Sequence, residues 1–237
     1  MITENIKHIF FDLDHTLWDF DKNSGLAFAD IFAVHFKEID VDKFMEVYIP
    51  INQECWRLYQ TDQITHSELR YNRFKHSFDA ICVVISDDEI DFIAEKYLEI
   101  LPAKNHLIED AIEILEQLKN SYQLHVITNG FLEVQQKKIQ NSGLHVYFQS
   151  ITNSEMAGAK KPHPKIFQTA LNSAEATNKN SIMIGDSWEA DIVGAMNFDM
   201  PAIYFNQHNN EIDSVEKNKY QTKYIEIKAL SEIKNLL

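Results

Sequence analysis

Cysteine is scarce in this chain of 237 residues, which has only two, Cys55 and Cys82. Both fall in helix-like segments and lack the close spacing of a metal-binding pair, so neither a disulfide framework nor a thiolate metal site is expected. A reduced, cytoplasmic setting is the simplest reading. Long apolar runs are missing too. No stretch approaches the roughly 20 apolar residues of a membrane-spanning helix. The start, Met1 to Lys7, has no basic segment leading into an apolar one, so no secretory signal is read and no membrane partner is expected. Positive charge is also short, with 22 Lys and Arg against 36 Asp and Glu and a formal net charge of −14. That balance opposes electrostatic binding to nucleic acid polymers or anionic lipid. The only arginines, Arg57, Arg70 and Arg73, lie close together. Repeats and low-complexity tracts are absent.

Apolar residues make up 45% of the chain, enough for a substantial core. The length suits one large domain or a core with a smaller insert. Ile6 to Phe11 reads as a short buried strand. From about residue 20 to 104 the pattern is helical. Leu26, Phe28, Ile31 and Phe32 line one face of a first helix, with Ser24 as its expected N-cap. A second helix over Val41–Tyr59 is expected to bend or break near Pro50. Thr65-His66-Ser67-Glu68 and Ser86-Asp87-Asp88-Glu89 have the spacing of capping boxes that open a third and a fourth. Short strands then alternate with helices: Leu124–Thr128, Phe148–Thr152, Ser181–Gly185, Pro201–Phe205 and Tyr224–Ile227, with helices over 131–141, 164–176 and 189–196. Such alternation predicts an α/β fold, a doubly wound parallel sheet covered on both faces. The helical block interrupts it, giving a core of 1–19 and 105–237 and an inserted helical domain of 20–104.

Ligands in such sheets bind at the carboxyl ends of the strands, and chemistry-bearing residues collect there. The first strand runs into Asp12-Leu13-Asp14-His15-Thr16. Two carboxylates this close repel unless a cation or a shared proton compensates, and Mg²⁺ suits a few carboxylates, waters and a phosphate. A plain surface turn is the competing reading. Leu124–Ile127 ends in Thr128-Asn129-Gly130, which is either a phosphate-binding turn or an ordinary one. Ile182–Ile184 ends in Gly185-Asp186-Ser187, followed by Asp191; each acid could instead be a helix cap or first-turn acid. Between them Lys160-Lys161-Pro162-His163-Pro164 holds a lysine in a backbone stiffened by prolines. An acidic protein that handles phosphate must supply positive charge locally in this way.

In this order, the residues resemble the haloacid dehalogenase superfamily of phosphohydrolases. Its D-x-D-x-T motif stands as Asp12 to Thr16, its strand-ending Thr as Thr128, its lysine before proline as Lys161-Pro162, and its G-D-S with a later acid as Gly185 to Asp191. The room between Thr16 and Thr128 is similar to that of the branch with a helical cap at this point. The wording Asp14-His15-Thr16-Leu17-Trp18-Asp19-Phe20 and Thr128-Asn129-Gly130-Phe131 looks most like bacterial 5′-nucleotidases acting on pyrimidine and non-standard nucleoside monophosphates.

The resemblance implies that Asp12 attacks phosphorus to form an aspartyl-phosphate and that Asp14 serves as general acid and then base. It further implies Mg²⁺ held by Asp12, the Asp14 backbone carbonyl and Asp186, with Asp191 behind them. Thr128, Asn129, Gly130 and Lys161 would bind the phosphoryl group. The acid two residues after the nucleophile is absent from dehalogenases, since a halide leaves unprotonated, so dehalogenation is not expected. Trp18, Phe20 and Arg57 are the candidates for substrate specificity, although aromatics near the arginines also read as cap core with the arginines as its solvated face. The expected partner is a small phosphorylated metabolite, and the expected assembly a monomer or small homo-oligomer. A phosphatase or mutase of sugar phosphates and a non-catalytic binding module are the alternatives.

Overall fold

The computed structural model describes residues 5–237. The first strand, β1 (His8–Phe11), is wholly buried, as an interior strand of a parallel sheet covered on both faces must be. The chain then passes through α1 (Phe20–His35), α2 (Val41–Gln60), α3 (His66–Ala80) and α4 (Asp87–Ile100). It continues through α5 (Ala111–Leu118), β2 (Gln123–Thr128), α6 (Leu132–Asn141), β3 (Phe148–Asn153), α7 (Ser154–Ala157) and α8 (Pro164–Ser173). The last part holds β4 (Ser181–Gly185), α9 (Gly194–Asn197), β5 (Ala202–Phe205), α10 (Ser214–Tyr220) and β6 (Tyr224–Ile227). Contacts divide the chain into two compact units: one runs through Asp19 and resumes at His106–Leu237, and the other is Phe20–Asn105.

In the first unit the strands form one parallel sheet in the order β3-β2-β1-β4-β5-β6. Helices cover both of its sides. The order grows outward from β1 in one direction to β3 and then in the other to β6. The crossovers that follow β1 and β4 therefore leave in opposite directions, and a crevice opens between those strands at their carboxyl ends. Phe11 pairs in register with Val126 on one side and with Ile184 on the other, so the loops after β1, β2 and β4 begin at nearly the same level. Beneath them Phe10, Ile127, Ile166, Phe167, Met183 and Ile192 pack into one apolar cluster. The expected helix over 189–196 is a π-helical turn, Trp188–Val193, followed by α9.

The second unit is an all-α bundle around aromatic rings. Phe28 meets Phe32, Phe44, Tyr48, Phe74 and Tyr97, with ring centroids between 4.7 and 6.0 Å apart. Both capping boxes form: Thr65 and Glu68 bond reciprocally at the start of α3, as do Ser86 and Glu89 at the start of α4. The cap expected at Ser24 fails, and the break expected near Pro50 is absent. Helix α1 begins at Phe20, so Ser24 lies inside it, and its hydroxyl bonds the Tyr97 hydroxyl at 2.7 Å instead of capping. Helix α2 runs unbroken through Pro50, since the proline removes one N–H from the ladder while Phe44, Tyr48, Asn52 and Cys55 keep the same buried face on either side. Arg73 is also not a solvated residue: it is buried and stacks over Phe74 and Tyr97 at 4.7 and 5.2 Å.

Candidate active site

The loop after β1 sets the first two acids. Leu13 is fully buried and accepts hydrogen bonds from the backbones of Leu17 and Trp18, while His15 takes a left-handed conformation (φ 61°) that tightens the turn. Asp12 is tied to β4 through its N–H, which donates to the Ile184 carbonyl at 2.9 Å. Asp186 follows β4 directly. Asp191 lies in the π-helical turn, its Oδ2 accepting from the Ser187 N–H at 3.0 Å. Gly185 has no room for a side chain, because a Cβ there would come within 2.3 Å of Asp191 Oδ2.

Asp12, Asp186 and Asp191 can each place a carboxylate oxygen within 4.8 Å of the others, the one such acidic group among the described residues. Burial pushes the Asp12 carboxyl well above the usual range, with Asp191 and Asp186 adding to the rise against the pull of Lys161. Asp186 is pushed up to about 8, by burial first and then by Asp191. Thr16 is fully buried and donates its hydroxyl to Asp186 Oδ1 at 3.0 Å, which orients that carboxylate. Three acids facing one ammonium leave excess negative charge, and the donors are all oxygens. Such a site fits a hard divalent cation. Asp12, Asp186 and Asp191 are the carboxylates that could hold it.

Lys161 supplies the resident positive charge. It is 2% exposed, and its Nζ lies 2.5 Å from Asp12 Oδ1, 2.6 Å from Asp191 Oδ1 and 2.8 Å from the Ile127 carbonyl. Burial works against its charge, but the two aspartates outweigh that and hold its pKa above the ordinary lysine value. The ammonium donates to Asp12 and to the Ile127 carbonyl, while Asp191 Oδ1, which has no hydrogen-bond partner, meets it as an ion pair. Lys161 thus holds Asp12 by a hydrogen bond and Asp191 by charge. Asn129 has a comparable role. Its side chain accepts from the Lys161 N–H at 2.7 Å and donates to the Lys161 carbonyl at 3.0 Å, so it locks the lysine in place.

Thr128 ends β2 with a buried hydroxyl. Its Oγ1 accepts from the Gly130 N–H at 3.1 Å and from Gln135 Nε2 at 2.7 Å. A hydroxyl has two lone pairs and one hydrogen. With both lone pairs used, the hydrogen remains to be donated, as binding a phosphoryl oxygen requires. Asp14 stands apart from the three-acid group. Its Oδ1 is 2.6 Å from Lys138 Nζ, and its Oδ2 accepts from Gln135 Nε2 at 2.9 Å.

Gln135 and Lys138 were not among the residues expected from the sequence. The available signal lay in α6, whose buried face, Gln135, Lys138 and Ile139, carries two polar residues at helical spacing. Of the specificity candidates, Trp18 lies in the α/β unit with the Lys138 ammonium 4.3 Å from its ring centroid. Phe20 and Arg57 lie in the helical unit. Phe20 is buried, and Arg57 is exposed and forms a two-pronged pair with Glu54 at 2.7 Å on each arm.

Comparison with known proteins agrees with this geometry. The sequence profile of the haloacid dehalogenase-like hydrolases matches residues 6–199. The pyrimidine 5′-nucleotidase YjjG of Escherichia coli is 31% identical over 206 residues, covering 86% of this chain and 87% of its own. A glyceraldehyde 3-phosphate phosphatase of Methanothermobacter thermautotrophicus is 28% identical, covering 98% of this chain and 100% of its own. The crystal structure of the HAD-hydrolase YfnB of Bacillus subtilis, bound to magnesium, superposes with a TM-score of 0.85 at 26% identity and covers 99% of both chains. Carboxylates at the ends of β1 and β4, a threonine ending β2 and a lysine in the connection between β3 and β4 are thus set in a family frame that spans most of the sequence: the chain belongs to the haloacid dehalogenase-like hydrolases.

Proposed function

We propose that this protein is a Mg²⁺-dependent phosphomonoesterase that works through an aspartyl-phosphate on Asp12, with pyrimidine and non-standard nucleoside 5′-monophosphates as its substrate class. The observation that carries the reading is the division of labour among the acids. Asp12 sits with Asp186, Asp191 and Lys161 in one buried cluster, while Asp14, two residues on, is held separately by Gln135 and Lys138. An oxygen of Asp12 attacks phosphorus as the ester P–O bond breaks, and Asp14 gives its proton to the leaving oxygen. Asp14 then takes a proton from water as that water attacks phosphorus and the P–O bond to Asp12 breaks, releasing phosphate. Thr128 donates its free hydroxyl hydrogen to a phosphoryl oxygen, and Lys161 keeps Asp12 oriented and the cluster charge in check. Asp12, Asp186 and the Asp14 carbonyl would hold Mg²⁺, which would supply charge stabilisation for the transferring phosphoryl group.

The nucleotide class is supported by the similarity to YjjG over most of both chains. A small sugar phosphate is the second reading, supported by the end-to-end similarity to a glyceraldehyde 3-phosphate phosphatase. The test is phosphate release from a panel of nucleoside monophosphates and sugar phosphates, with Mg²⁺ and with EDTA, using Asp12→Asn as the control for contaminating phosphatase. Metal-dependent release from UMP, dUMP or dTMP above the sugar phosphates is expected. Preference for a triose or sugar phosphate would keep the chemistry and overturn the substrate class.

A further inference from the structure

We propose that Gln135 and Lys138 are positioning residues for this reaction: α6 uses them to grip both oxygens of the Asp14 carboxylate and, through Gln135, to aim the Thr128 hydroxyl. The inference rests on the phosphomonoesterase reading and adds two residues to it. Gln135 and Lys138 are 1% and 2% exposed, and they lie three apart on the buried face of a single helix. Burying a lysine and an amide is costly; the ammonium and the amide nitrogen are partnered here, while Gln135 Oε1 has no hydrogen-bond partner, so burial of the amide is offset only through its nitrogen's contacts. The contacts divide cleanly. Lys138 Nζ takes Asp14 Oδ1 at 2.6 Å, and Gln135 Nε2 takes Asp14 Oδ2 at 2.9 Å. The second hydrogen of the same amide nitrogen reaches Thr128 Oγ1 at 2.7 Å. One amide therefore links the acid–base group to the phosphoryl-binding hydroxyl and sets the distance between them.

Two further features make room for the grip and steady it. A Cβ at Gly130 would come within 2.4 Å of Gln135 Nε2, so the glycine after β2 leaves the space into which Gln135 reaches. The Lys138 ammonium also lies 4.3 Å from the Trp18 ring centroid, which confines it from the side of the β1 loop. A carboxylate gripped at both oxygens cannot rotate about its Cβ–Cγ bond. That constraint serves most directly the second half of the reaction, in which ionised Asp14 must accept a proton from a water aligned with phosphorus.

The test uses 4-nitrophenyl phosphate with the full-length wild-type protein, Gln135→Leu, Lys138→Met and the conservative Lys138→Arg, all with saturating Mg²⁺. Nitrophenolate needs no proton to leave, so its first burst reports attack by Asp12, and the steady rate afterwards reports hydrolysis of the phosphoenzyme. Positioning through outer partners typically carries about 10- to 100-fold in activity. We expect the post-burst rate to fall by that factor in Gln135→Leu and Lys138→Met, with the burst rate changed less than about threefold and KM falling in step, so that kcat/KM stays nearly constant. Lys138→Arg, which can still grip a carboxylate, should recover most of the loss. A purely structural role would lower burst amplitude and both rates together, and that pattern overturns the proposal, as do wild-type rates in both disruptive variants. If the wild-type protein releases no nitrophenolate in a metal-dependent way, the phosphomonoesterase reading fails and this inference falls with it.

Discussion

Replacing Lys161 by methionine tests the charge balance of the site. The substitution keeps a stem of the same length and removes the terminal ammonium that lies 2.5 Å from Asp12 and 2.6 Å from Asp191. At an effective dielectric near 20, each such attraction amounts to about 6 kcal/mol at these separations, largely offset by the cost of keeping the charges out of water. Removing one partner from a buried ionic group typically costs about 3–5 kcal/mol, because the abandoned charges remain buried. Here Asp12 and Asp191 would lose the ammonium that lies between them, so a loss within that range applies at neutral pH. Urea unfolding at pH 7.5 in EDTA measures the loss directly. Repeating it with Mg²⁺ should return part of the difference, since a divalent charge meets the same carboxylates. Lys165→Met is the control: Lys165 is exposed on the same connection, and its replacement should change stability by no more than about 0.5 kcal/mol. A loss below about 1 kcal/mol for Lys161→Met, the range of an exposed surface pair, would refute the account of Lys161 as the neutralising charge.

Other perturbations have equally definite outcomes. Gly185→Ala would drive a Cβ to within 2.3 Å of Asp191 Oδ2, so Asp191 must leave Lys161. Titration calorimetry should show Mg²⁺ affinity weakened by about 10- to 100-fold, and unchanged affinity would contradict the placement of Asp191. On β2, His125 is buried between His8, at 3.2 Å, and Ser150, at 2.8 Å, and burial lowers its pKa to about 4. The unfolded chain protonates His125 below its ordinary 6.5 and the folded protein only near 4, so stability is lost as pH falls between those values. That gap corresponds to about 3 kcal/mol. Unfolding free energies measured from pH 7 to 4 should fall more steeply for the wild type than for His125→Phe by that amount, and parallel slopes would refute the assignment.

What the sequence made legible was local. Asp12, Thr128 and Asp186 could be placed because each follows a short apolar strand, and parallel sheets gather strand ends at one edge. The capping boxes at Thr65 and Ser86 could be read because a cap and its partner lie three residues apart. The features that escaped depend on partners far away in the chain. Ser24 reads as a cap, yet its hydroxyl is taken by Tyr97, 73 residues on. Gln135 and Lys138 resemble the solvated face of a helix until Asp14, 121 and 124 residues earlier, is brought beside them. Asn129 and Lys161 were both candidates from the sequence, but their mutual backbone lock was not legible, since it depends on two loops meeting. Arg73 was read with a solvated face because a lone arginine usually is; three-dimensional packing instead places it over two aromatic rings.

The central claim is that Asp12 carries the phosphoryl group. The measurement that tests it most directly is acid-quenched mass spectrometry of the protein during turnover of a phosphate monoester with Mg²⁺. The account predicts a phosphate adduct on the peptide that contains Asp12, lost in Asp12→Asn and in EDTA. Metal-dependent phosphate release with no adduct on that peptide, or release that persists in Asp12→Asn, would contradict it.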